Sequence, residues 1–135
     1  MESLKNELTR ICNTLLISTD PLLKILTGSR DKELRTLKSE YYSFTPELLT
    51  AISRIDELTL VSTNKIQTLD GQNRFDDAAS WGHMFECCIE LRAYIETFMA
   101  QAEVALASGN DSIRQDLALE LDRLQRKIAY FKNNL

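Results

Sequence analysis

The feature that most constrains this sequence is a set of eight residues in its second half: Trp81, Met84, Cys88, Leu91, Ile95, Phe98, Ala102 and Ala105. Their spacing alternates three and four without a slip. A β-strand turns successive side chains to opposite faces and cannot collect this set on one side, whereas an α-helix places residues three and four apart on one stripe. The same alternation is the knobs-into-holes spacing by which one helix packs along another. A seam of this kind needs facing seams, and the rest of the chain supplies them. Leu4, Leu8, Ile11 and Leu15 form one over residues 2–18. Leu34, Leu37, Tyr41, Phe44, Leu48, Ile52, Ile55, Ile66 and Leu69 form another between Asp31 and about Leu69. Leu117, Leu121, Leu124, Ile128, Phe131 and Leu135 form the last.

Chain-breaking residues are few, with four Gly and two Pro in 135 residues, so the helices are long. "STDPLLKILTG" predicts a short helix near 20–28, with Asp20 as its cap, Pro21 in the first turn and Gly28 as its stop. Pro46 falls inside the second seam. The apolar phase continues across it, which fits one kinked helix or two nearly collinear ones. "VSTNK" is the weakest helical stretch. "DGQN" breaks the chain at 70–73, and "SGND" ends the long helix that runs from about Phe75 to Ser108. Gly109 stands in the C-terminal position there, and Asn110 or Asp111 caps the next helix. In that final helix the acids precede the bases, an order that suits the helix dipole. The expected fold is all-α: one domain over 1–135, an antiparallel bundle of about four principal helices, one of them kinked or split near Pro46, plus the short helix near 20–28.

Charge and cysteine usage narrow the function. A net charge of −4 argues against nucleic acid, whose phosphates need a clustered basic surface. No apolar run approaches the ~20 residues of a membrane span, and "MESLKNELTRICNTLL" is too polar for a secretory signal. Three cysteines form an odd set without a CxxC pattern, which points to free thiols in a reducing, intracellular and most simply cytoplasmic setting.

Chemistry has one place to reside, the stretch "SWGHMFECCIELRAY", which holds the only Trp, the only His and two of the three Cys. A lone histidine on a helical bundle invites comparison with phosphotransfer domains and their His-x-Leu-Lys-Gly type motif. Here "HMFEC" puts Glu86 where the lysine would steady a phosphoryl group and Cys87 where the glycine would make room for it. His83 and Cys87 are four apart, the spacing of helix neighbours, so a thiol-dependent centre is the second chemical reading. Glu86 and Glu90 oppose it by disfavouring a thiolate. Cys87 and Cys88 point about 100° apart and cannot readily bridge within a helix. One histidine in the whole chain rules out the repeated Glu-x-x-His set of di-iron bundles. No glycine loop cradles a phosphate, and the expectation is no enzyme, no cofactor and no metal.

Apolar residues that lie off the seams carry the remaining information. Ile89 points nearly opposite the core stripe and Phe85 well to one side, while Tyr42, Leu49 and Leu60 form a second stripe about 110° from the first. Val104, Leu119 and Tyr130 also lie off their seams. The long helix is acidic, with Arg92 its single cation. These residues predict a non-enzymatic adaptor or scaffold that binds another protein, or itself, through helix faces containing Phe85, Glu86, Ile89, Glu90, Tyr42, Leu49 and Leu60. A small acidic helical chaperone or co-chaperone for one client is the alternative.

Overall fold

The computed structural model describes residues 1–28, 34–109 and 111–135. Four helices follow one another: α1 (Glu2–Thr27), α2 (Leu34–Gly71), α3 (Phe75–Ala107) and α4 (Ile113–Asn133). Among the described residues there is no strand. The helices form a closed ring in chain order. Each of α1–α2, α2–α3, α3–α4 and α4–α1 is a packed pair, while α1 and α3 meet only slightly across the diagonal.

Cross-links join every neighbouring pair, and links at two heights fix the antiparallel sense of α2–α3 and α4–α1. Glu7 meets Arg54 between α1 and α2 at 2.7 Å. Between α2 and α3, Tyr42 donates to Glu103 at 2.9 Å and Arg92 meets Asp56 at 2.8 Å. The Tyr94 ring meets Phe131 edge-on between α3 and α4. From α4 to α1, the Gln125 amide donates to the buried Thr19 hydroxyl, and Arg114 donates to the carbonyls of Leu26 and Gly28. The expected all-α antiparallel bundle is what the chain forms.

The seams supply the core. Leu8, Leu15, Leu48, Ile55, Leu91, Ile95, Leu121 and Ile128 are all essentially inaccessible. Along α2 the buried line departs from the expected one. Ala51, Leu58 and Ser62 face inward, whereas Ile52 and Ile66 sit half-buried on the flank and Leu34 is exposed. The strict three-four alternation of the bundle decides this, not the size of the side chain. Trp81 likewise sits half-buried at the edge of the core.

Both prolines lie inside continuous helices. The segment 21–27 is helical as expected, yet it continues α1 and is no separate helix, because Leu22 and Leu26 carry the first seam onward. At Pro46 the missing N–H would leave the carbonyl of Tyr42 without a partner. The Thr45 hydroxyl donates to that carbonyl at 2.8 Å, so α2 runs through unbroken. The weak stretch of α2 is satisfied in the same local way. Thr59, Ser62 and Thr63 each donate back to the carbonyl four residues earlier.

The turns follow the sequence closely. Asn73 adopts a left-handed conformation in the break after α2, and Gly109 does so after α3. Gly28 ends α1 in an extended conformation, so the Arg114 guanidinium, rather than glycine's freedom, satisfies the last carbonyls. Ser112 precedes α4 in the capping position, and its hydroxyl donates to Asp116. Asp31 and Asn110, expected at helix starts, lie outside the described residues.

Candidate partner-binding surface

Residues seven apart on a helix lie within about 20° of each other, so Phe75, Gly82, Ile89, Glu96 and Glu103 form one column along α3. Tyr42, Leu49, Asp56 and Thr63 form another along α2. The Tyr42–Glu103 hydrogen bond and the Arg92–Asp56 ion pair show that these two columns flank each other. Together they make the outer face of the α2–α3 pair.

One half of this face is polar and internally paired. Arg92 bridges Asp56 and Glu96, and Tyr42 is held by Glu103. Leu49 is the single large apolar residue standing clear of the surface there, at 55% exposure. The other half, toward the α2–α3 turn, is apolar. Phe75 is 61% exposed and Ile89 47%, Phe85 is half-buried between the columns, and Gly82 lies in the middle. Glycine inside a helix costs about 1 kcal/mol relative to alanine. A Cβ at Gly82 would meet nothing within 4 Å, so no internal packing requires the missing side chain.

The anticipated partner residues therefore divide. Ile89, Tyr42 and Leu49 share the α2–α3 face, with the Asp56–Arg92–Glu96 cluster between the two halves. Phe85, expected well to one side of the core stripe, is half-buried. Leu60, in the stripe of Tyr42 and Leu49 by angle, is exposed beside Val61. Glu86 and Glu90 are exposed, and Glu90 accepts a hydrogen bond from Tyr94. Phe75 and Gly82 escaped the sequence reading. Phe75 was hidden as a helix-opening residue, but a glycine inside an otherwise unbroken helical pattern was a visible signal.

The remaining exposed apolar residues are scattered elsewhere. Val104 and Leu119 line a shallow cleft between α3 and α4, and Ile17 lines a groove between α1 and α4. Tyr130 stands alone on α4. Among the described residues no helix is both long and apolar enough to cross a membrane.

The structure does bring His83 and Cys87 together, with Sγ and Nε2 at 3.8 Å. His83 is exposed and lines an open cleft of about 450 Å³ with Met1, Lys5, Ala79, Ser80 and Met84. Cys87 is buried. Burial, then Glu90 and Glu86, push its thiol above the ordinary range, against a smaller opposing effect of Lys5. Burial raises Cys88 to about 11 and Cys12 to about 12. All three thiols are thus held in the protonated, weakly nucleophilic form near neutral pH. Among the described residues no three of His, Cys, Asp and Glu are placed to share a metal ion.

The chain matches no protein-family model, no curated protein and no solved structure.

Proposed function

We propose that the protein is a non-enzymatic interaction module, an adaptor or scaffold that binds another protein through the outer face of α2–α3. The observation that carries this reading is the apolar half of that face, where Phe75 and Ile89 stand exposed in one column around a glycine that no internal packing needs. Single exposed apolar side chains are ordinary on protein surfaces, but a column of them on one helix is a feature of binding faces. The environment of Cys87 supports the same reading, because a buried thiol beside two carboxylates is poorly prepared to act as a nucleophile.

The test compares affinity purification of the native protein with that of Ile89→Asp and Leu49→Asp from the same cells. A partner lost with Ile89→Asp supports the module reading. A partner set unchanged by both substitutions sinks it. So would a cellular activity abolished by His83→Ala or Cys87→Ser in a protein that stays folded, since that would move the function to the cleft. A chaperone for one client differs by copurifying with a single dominant protein that loses solubility when the module is removed.

A further inference from the structure

We propose that the apolar half of the α2–α3 outer face docks a basic amphipathic helix of another protein, with one partner side chain seated over Gly82. The inference rests on the interaction reading above and names the chemistry of the partner.

Geometry comes first. Phe75, Gly82 and Ile89 are spaced seven apart, so the column spans roughly 21 Å of helix axis, matched by about 14 residues of a partner helix. Phe85 and the half-buried Ile66 of α2 sit toward the seam between the two helices. A third helix laid along two antiparallel helices presents anchors at i, i+3, i+4 and i+7, the recognition mode such a surface suits. Gly82 lets that helix approach the α3 backbone directly, because the space where its side chain would stand is open.

Charge then selects the partner. Asp76, Glu86 and Glu90 of α3 and Asp70 at the end of α2 rim this half of the face, and all four are exposed. Among the described residues no cation pairs with Asp70, Asp76, Glu86 or Glu90. On α2 and α3 the cations are engaged, Arg74 by Asp77 and Arg92 by Asp56 and Glu96, while Lys5 of α1 and Lys127 of α4 lie toward Cys87 and Tyr94 on the other flank of α3. An apolar strip with four exposed carboxylates in no ion pair complements apolar anchors flanked by Lys and Arg. A second copy of the chain fits poorly. Each copy carries a net charge of −4, so self-pairing would bring two acidic surfaces together.

The test uses two synthetic 18-residue amphipathic peptides with the same leucine stripe, one with lysine flanks and one with glutamate flanks. Binding to the full chain is followed by calorimetry and by the fluorescence of Trp81, the only tryptophan and the neighbour of Gly82. The lysine peptide should bind at least tenfold more tightly than the glutamate peptide and weaken severalfold between low and moderate salt. Gly82→Leu and Ile89→Asp should each weaken it at least tenfold with circular dichroism unchanged. Ile17→Asp, an apolar-to-acid change elsewhere, should leave it within twofold. Charge reversal by Glu86→Lys with Glu90→Lys should invert the preference between the peptides.

Equal binding of both peptides, binding of neither, or insensitivity to Gly82→Leu overturns the proposal. So does concentration-dependent dimerisation that Ile89→Asp abolishes, which would make the occupant a second copy. A cellular partner lost on Ile89→Asp, but cross-linked to residue 82 through an acidic segment, overturns the basic-helix inference and leaves the module reading standing. A cellular partner set that neither Ile89→Asp nor Leu49→Asp alters overturns both.

Discussion

The two halves of α3 share one inner seam and present opposite outer faces. From Ile95 to Ala105 the seam is backed by an exterior in which Glu96 and Glu103 are tied to α2 through Arg92 and Tyr42. From Trp81 to Leu91 the same seam is backed by Ile89, the bare backbone at Gly82 and, two turns before that glycine, Phe75. Seam packing does not explain the difference, because apart from Trp81 both halves bury their seams. What differs is whether the outer surface is completed within the molecule. The polar half pairs its own groups across the two helices, and the apolar half has no such cross-helix pairing among the described residues.

That contrast makes unequal demands on neighbouring residues. Leu91→Ala should destabilise the fold by about 2–5 kcal/mol, whereas Ile89→Ala, two residues away, should cost less than about 0.5 kcal/mol. Urea unfolding measures both, and a loss above about 2 kcal/mol at Ile89 would mean that this residue belongs to the core.

The buried groups set the pH response of the inner seam. Burial raises Cys88 to about 11, and burial followed by the charge of Glu103 raises Tyr41 to about 12. Burial likewise raises Cys12 to about 12. A group whose proton is held more tightly in the folded state contributes stability that is complete below its unfolded pKa and is lost as pH rises toward its folded one. Stability should therefore be flat across neutral pH in these terms, fall from about pH 9, where an unfolded thiol ionises, and continue falling to about pH 12. Chemical denaturation in a pH series checks the window, and Cys88→Ala should flatten part of the slope.

Gly82→Ala sharpens the comparison from the other side. With open space at the Cβ position, alanine should raise stability by about 0.5–1 kcal/mol, readable as a higher melting temperature. A destabilised variant would show that the glycine serves the fold itself. The smallest effect belongs to the polar half. Arg92→Met should cost no more than about 1 kcal/mol, an amount that shrinks in high salt, because Asp56 and Glu96 are both substantially exposed.

The inner seams were legible in the sequence because hydrophobic spacing is a one-dimensional signal. The apolar letters misled mainly along α2, partly because the register demanded small residues there. Ala51 and Ser62 occupy the inward line of α2, and the larger Ile52 and Ile66 were displaced to its flank. Pro21 and Pro46 read as helix starts because the local signal was correct. The continuity of α1 and α2 depends on tertiary seams and, at Pro46, on one hydroxyl from Thr45. The candidate face was half legible. Ile89, Tyr42 and Leu49 could be placed by angle, and Phe85 to one side of the stripe, but not how far each would be covered. Nor could the halves be distinguished, since Tyr42–Glu103 and Arg92–Asp56 are pairings across helices.

The grip of Arg114 on the end of α1 has a consequence for the order of events in folding. The α2–α3 pair closes over a turn of three residues, a short loop that forms at little entropic cost. The α4–α1 pair joins the two ends of the ring, so Arg114 bonds carbonyls 86 and 88 residues away. Ring closure is expected to follow the hairpin and to be the first interface released. Arg114→Ala should accordingly speed unfolding several-fold in stopped-flow measurements and leave the refolding rate nearly unchanged. The clasp between α1 and α4 would then act as the latch on the bundle's lifetime, while the hairpin that carries the candidate face remains the part assembled earliest.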